Sequence, residues 1–249
     1  PLFAADRQRP LTGKFSLMPK IGTDFTVGGA FVKAAKISET LTLGSSTITA
    51  DISSDSQDFD DVYHSPISSG LSLNYGLTDF SEVFINLGYL KAESKEFDGA
   101  TIDVSGAFGS LTVSASELIT AEFDDYHETS LNMGVRHFFN RFGSLSPFVS
   151  LEGGVKHTEK IELELSIANE SISEITFYDE SWTPNFGTGV GVMLEIKDNI
   201  SFMVETGLHY NSELNEDDTD WRGGNDYEDV NDGGERWSVP LMFSLRISL

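Results

Sequence analysis

The sequence predicts an all-β fold: an eight-stranded antiparallel up-and-down barrel that crosses a membrane. Three observations carry this. Apolar residues alternate with small or polar ones at period two along eight segments, and helical periodicity is hard to find. The connections between segments alternate strictly between short and long. The apolar face of each segment is nearly free of charge across its middle, whereas the other face holds a sparse set of charges of both signs.

The pattern is cleanest at the carboxyl end. Trp237, Val239, Leu241, Phe243, Leu245, Ile247 and Leu249 share one face, with Ser238, Pro240, Met242, Ser244, Arg246 and Ser248 opposite. Ile200 to Tyr210 and Trp182 to Ile196 repeat the design, joined by Lys197-Asp198-Asn199, a hairpin turn. Val149 to Lys156 and Leu131 to Phe139 flank the short link 140–144. Val83 to Leu90 and Ile67 to Leu77 flank 78–81. The first strand runs from Phe15 to about Val32. Long connections fall near 36–65, 93–126, 158–180 and 212–235. Three short turns on one rim and four long loops on the other fit a spanning barrel, periplasmic turns below and extracellular loops above. Residues 14–249 form one barrel domain in this reading. Residues 1–13 precede it as a periplasmic segment, with Pro1–Ala5 either the end of a removed signal peptide or an appended sequence.

Composition bounds the function. The 249 residues carry 16 Lys and Arg against 40 Asp and Glu, a net charge of -24, so phosphate is repelled and nucleic-acid binding is excluded as a main role. There is no Cys, hence no disulfide, thiolate metal ligand or Cys nucleophile. No run of eighteen apolar residues exists, but a strand-built span needs none.

The same strands in a water-soluble barrel would turn the apolar face inward and the polar face to solvent. The polar face is too rich in Gly and Ser for that. Its charges also cancel: Lys20, Arg136, Lys156 and Arg246 against Asp24, Glu152, Glu195 and Glu205. A polyanionic chain has no compositional reason to balance one face unless those groups meet in an enclosed interior. A charge on the other face would cost about 2–4 kcal/mol at the bilayer midplane. The aromatics fit the same frame. Tyr89, Trp182, Tyr210 and Trp237 lie at long-loop ends, and Phe15, Phe80, Phe139 and Phe142 near the short turns, as interfacial girdles would. The competing reading is ordinary strand aromatics.

On its alternating last strand, and on the turn-flanking phrase Asn74-Tyr75-Gly76-Leu77-Thr78-Asp79, the chain resembles the eight-stranded outer-membrane β-barrel family that includes the OmpA membrane domain, OmpX and OmpW. The resemblance implies a multi-pass protein of the Gram-negative bacterial outer membrane, in contact with outer-membrane lipid and lipopolysaccharide. Family members end in an aromatic residue; this chain ends in Leu249.

Four features carry chemistry. The inward charges suit a hydrogen-bonded network filling the lumen, with Glu205 and Arg246, and Glu152 and Arg136, as partners on neighbouring strands and Asp24 or Lys20 beside Arg246. The alternative is a narrow pore. The acid-rich 213–236 segment offers hard oxygen ligands for Ca²⁺ or Mg²⁺, with Asp217, Asp218, Asp220, Asp229 and Asp232 as candidates. Asp218 to Gly223 misses the calcium-loop spacing, and a solvated acidic loop is the competing reading. Ile161, Leu163, Leu165 and Ile167, the return through Ile172, Ile175 and Phe177, and the stretch 100–119 read as hairpins that carry the sheet above the membrane and offer edges to a protein partner. Finally, His157 and His137 face outward near the two rims, with no G-x-S-x-G in the chain, so no enzyme is expected and no cofactor beyond a loop cation. The function expected is a structural and surface-interaction protein acting through acidic extracellular hairpins. A narrow channel for small solutes or ions is the alternative, and a lipid-modifying enzyme a minor one.

Overall fold

The period-two segments fold into eight long strands, β1 (Phe15–Gly28), β2 (Ile67–Gly76), β3 (Ser81–Ala92), β4 (Tyr126–Phe138), β5 (Leu145–Thr158), β6 (Ser181–Lys197), β7 (Ile200–Asn211) and β8 (Arg236–Ser248). The computed structural model describes residues 11–43, 46–108, 111–168, 170–216, 230–231 and 233–249. The strands close in the order β1-β8-β7-β6-β5-β4-β3-β2, antiparallel throughout, with β1 bonded to β8 on one side and β2 on the other. Closure pairs the backbone N–H and C=O groups that an open edge would leave bare.

The short turns are tight. Leu77 and Thr78 N–H both donate to the Ser81 carbonyl, at 2.9 and 3.1 Å. Phe142 and Leu145 exchange backbone bonds across Gly143, whose φ of 65° suits glycine. The third turn joins Lys197 to Ile200 directly. Below the barrel Leu11 is buried, and Gly13 N–H donates to the Gly76 carbonyl at 2.8 Å.

The first strand is shorter than its alternation suggests. Gly29 takes φ 107°, and a Cβ there would sit 2.1 Å from the Glu235 carbonyl oxygen. The chain leaves the barrel at this point, and Ala30–Val32 pairs with Gln57–Asp58 instead.

The long connections are not loops in the ordinary sense. Three of them form β-hairpins, at 35–54, 97–123 and 161–179, and these join with Asn215–Glu216 into one seven-stranded sheet. The hairpins at 100–119 and 158–180 were legible from alternation; the one inside 36–65 was not. A single helical turn, Phe59–Val62, tucks beneath the sheet. Around it the rings of Phe31, Phe59, Tyr63, Phe123 and Tyr178 pack at the barrel mouth, Phe31 meeting the other four edge-on at 5.1 to 5.8 Å. A second, smaller core of Leu11, Met18, Phe138, Phe148, Met193 and Met203 fills the short-turn end of the lumen.

Gly29→Ala tests the exit point. A side chain there meets both a left-handed φ and a backbone oxygen, so the variant loses about 1–3 kcal/mol of stability in urea unfolding from lipid vesicles. The control Gly28→Ala, where a Cβ meets nothing within 4 Å, is expected to stay near wild type.

Candidate functional site

Two tiers of charge cross the lumen. In the lower tier the Glu82 carboxylate, fully buried, accepts from Arg136 Nη1 at 2.6 Å and pairs with Arg246 Nη1 at 2.7 Å. One carboxylate thus ties β3 to β4 and, across the barrel, to β8. Arg136 also reaches Glu205 of β7 at 3.3 Å, and its guanidinium lies between the Phe84 and Phe148 rings, 4.8 and 5.0 Å from their centroids. Ser150 Oγ donates to Glu205. The arginine fork suits this task because its donors reach two carboxylates at once.

The upper tier runs Asp24, Arg236, Glu128, Lys156. Arg236 lies 3.6 Å from Asp24 and 3.5 Å from Glu128, which also pairs with Lys156 at 3.2 Å and accepts from the Tyr126 hydroxyl at 2.8 Å. Ser238 Oγ donates to Asp24 at 3.0 Å. Phe59 stacks over the Arg236 guanidinium at 4.6 Å and joins the aromatic lid above. Burial pushes the phenol of Tyr63, in that lid, well above its usual range.

Between the tiers lies a polar cavity of about 130 Å³, lined by Lys20, Asn86, Asn132, Glu152, Glu205 and His209 among others. That is room for about four waters. Asn86 Nδ2 donates to Glu152 at 2.7 Å, His209 Nε2 stands 3.6 Å from the same carboxylate, and Lys20 Nζ lies 5.7 Å from the Phe84 ring. Lys20, Arg136, Lys156, Arg236 and Arg246 are matched one for one by Asp24, Glu82, Glu128, Glu152 and Glu205. Glu195 sits at the short-turn rim and pairs with Arg141 at 2.9 Å.

The opposite face of the strands is its complement. Leu71, Leu87, Leu131, Leu151, Val190 and Phe243 all project outward and are exposed, in a continuous belt around a barrel whose charges are inside. In water this arrangement would be inverted. The protein is a closed eight-stranded β-barrel of the membrane-spanning kind. At its long-loop rim Tyr89, Trp182 and Trp237 are exposed, with Tyr210 packed on Trp237 at 4.8 Å. Phe139 and Phe142 are exposed at the short-turn rim.

No protein-family model matches the chain, and no curated protein does. Among solved structures it is similar to Neisserial surface protein A, at 11% identity and TM-score 0.44, over 94% of this chain and 96% of that one. It is also similar to OprG of Pseudomonas aeruginosa, at 12% and 0.37 over 96% of each chain, and to the outer-membrane protease OmpT of Escherichia coli, at 10% and 0.40 over 99% and 100%. At these identities and TM-scores the likenesses carry no argument; the architecture is read from the barrel itself.

The pairings differ from those that strand neighbourhood suggests. Arg246 pairs with Glu82, not Glu205; Arg136 pairs with Glu82 and Glu205, not Glu152; Asp24 meets Arg236. Arg136 and Glu82 stand opposite each other on neighbouring strands, whereas Arg246–Glu82, Arg136–Glu205 and Arg236–Glu128 join walls across the lumen. Sequence reasoning missed Glu82, Glu128 and Arg236 because it began strands at Val83, Leu131 and Trp237. The signal was there. Glu82 is in phase with Phe84 and Asn86, Glu128 with Asn132 and Arg136, and Arg236 with Ser238 and Arg246. The metal candidates Asp217, Asp218, Asp220, Asp229 and Asp232 lie outside the described residues. Among the described residues no cluster of three or more His, Asp or Glu is placed to hold an ion.

Outward histidines find cross-strand partners. His137 Nδ1 lies 2.9 Å from Ser81 Oγ, His127 Nδ1 2.7 Å from the Tyr89 hydroxyl, and His157 Nε2 2.8 Å from Glu180. The serine beside His137 comes from the paired strand, 56 residues away, where a local motif search does not look.

Two substitutions separate belt from lumen. Leu87→Arg, mid-strand and cross-paired to Leu71 and Leu131, is expected to cost about 2–4 kcal/mol in folding into vesicles. Glu82→Ala leaves two buried guanidinium groups short of a partner and is expected to cost about 3–5 kcal/mol in the same urea titration. A cost near zero for Glu82→Ala would mean that water reaches that tier.

Proposed function

We propose that this chain is a bacterial outer-membrane surface protein. Its closed barrel serves as an anchor, and its activity lies in the extracellular β-sheet it carries. The carrying observation is the division of the molecule at the barrel mouth. Below it the axis is filled by two ion-pair tiers, the aromatic lid and the methionine and phenylalanine core. An eight-stranded barrel has an interior just wide enough for side chains to fill, which supports a closed lumen. Above it three hairpins and Asn215–Glu216 fuse into one seven-stranded sheet. Fusing separate loops orders the backbone of 62 strand residues beyond the barrel mouth, at an entropic cost that an anchor alone does not require. Outer-membrane lipid and lipopolysaccharide surround the belt in this reading, and the sheet meets a protein or small-molecule partner from outside.

The polar cavity between the tiers favours one second reading, a gated path for small ions in which the tiers are the gates. Conductance separates the two. In planar bilayers the wild-type protein is expected to stay electrically silent, whereas Glu82→Ala combined with Arg136→Ala, which removes the central ion pair of the lower tier, raises a measurable leak. Stepwise currents from the wild type, lost on Arg246→Ala or Glu205→Ala, would replace the anchor reading with the channel.

A further inference from the structure

We propose that the inner face of the extracellular sheet is a binding site for an uncharged molecule with a long hydrocarbon chain, an inference that rests on the sheet lying outside the membrane as described above. The site is an apolar cavity of about 250 Å³, nearly twice the volume of the lumen chamber. Phe97, Ala100, Ile119, Ala121, Phe123 and Leu165 line it from the sheet, and Val32 and Val230 close it from the barrel side. The one polar side chain in the lining is Ser54, whose oxygen accepts the Ala35 N–H at 3.2 Å. Apolar cavities of roughly 150 Å³ stay dry and take up small hydrocarbons in other proteins. A charged or polyhydroxylated ligand would lose its water here without replacement.

The register extends this site upward. Cross-strand partners share a face, so Ile52 stands beside Ile102, the next row is Ala50, Val104 and Ala115, and the next is Leu41, Ile48 and Val113. These rows span about 14 Å along the strands. Leu41, Val104 and Val113 are exposed. The other face of the same strands carries Thr40, Thr49, Ser105 and Ser114 in one row, with the two threonine hydroxyls 3.3 Å apart. Water is therefore met by a hydroxyl face, and an apolar strip that no described residue covers leads from solvent into the cavity. The strip continues the cavity for about 14 Å along the strands, so an extended chain touches carbon beyond the cavity where a compact ring would not reach.

The flanking charges choose the head group. Glu39 shares the Ala50 row and Glu117 the Ile102 row, and among the described residues no cation lines the cavity. A carboxylate would be repelled, so the ligand is a neutral long-chain molecule or the acyl chain of a neutral lipid, and not a fatty-acid anion.

Photolabelling in lipid nanodiscs tests this with three diazirine probes: a long-chain alcohol added from water, the corresponding fatty acid, and a phosphatidylcholine with the group on its acyl chain. Mass spectrometry should find alcohol adducts within Phe97–Phe123, at least fivefold above those from the fatty acid at neutral pH. Excess unlabelled alcohol should suppress them, and Ala121→Trp, which fills the cavity, should reduce them by a similar factor. Adducts from the phosphatidylcholine probe as well would identify a membrane lipid as the source of the chain; adducts from the alcohol alone, a soluble one. Labelling confined to the barrel belt, or labelling of Phe97–Phe123 that resists excess alcohol, overturns the proposal. In the same nanodiscs Ser105→Cys, in a chain with no other cysteine, reports by maleimide reactivity whether the sheet stands in water. A reactive thiol without specific adducts refutes the ligand site alone; an unreactive one refutes the placement of the sheet.

Discussion

Glu82 is the group on which the interior depends. A closed barrel of this size leaves its inward side chains little water, so the charges buried in its two tiers must find their opposites there. Glu82 does this for two arginines on different walls, and Arg136 hands the connection on to Glu205. Once these long side chains are committed to the axis, the neighbouring positions must be small. A Cβ at Gly134 would lie 2.5 Å from the Phe84 ring, and one at Gly189 2.5 Å from the Glu205 carboxylate. The glycine-rich inner face is thus the space the ion tiers and their stacked rings occupy, and this is why it looks unlike a solvated surface.

Much of this was legible in the sequence, and the limits were physical. Period two fixed the faces of the eight strands, because a charge at the wrong phase would meet hydrocarbon. Strand ends were harder. At the rims lipid no longer enforces alternation, so Glu82, Glu128 and Arg236 looked like turn or loop residues although their phase placed them inside. Partner choice across the lumen was not legible, since neighbouring strands suggest Glu205 for Arg246, and only closure brings Glu82 across to it, whereas Arg136–Glu82 is a neighbouring-strand pair that was hidden by the strand end. The first hairpin hid for another reason. Its hydroxyl-rich outer face and the acids at 51–61 resemble a solvated loop, and its apolar residues Leu41, Ile48 and Ile52 are too sparse to stand out alone.

The seven-stranded sheet obeys a different rule from the barrel. In the barrel the apolar face looks outward and the polar face is enclosed. In the hairpins Thr and Ser look outward and Ile, Val and Ala look in. The inversion takes place at the mouth, where Gly29 turns the chain out of β1 and the Phe31, Phe59 and Tyr63 rings fill the junction. The same chain therefore changes solvent, and its side-chain pattern changes with it.

Charge follows the same division. Among the described residues five lumen cations are offset by five lumen acids, so the lumen contributes nothing to the net charge of -24. The acidic excess is therefore carried by the rest of the chain and gives it an acidic surface. Such a surface repels anionic sugars and phosphates at long range and favours neutral or cationic visitors, with the effect shrinking over the Debye length. It also keeps neighbouring copies apart, which matters for a sheet whose outer strand at 35–43 has one paired edge. The barrel supplies neutrality where lipid demands it, and the loops carry the charge where water tolerates it.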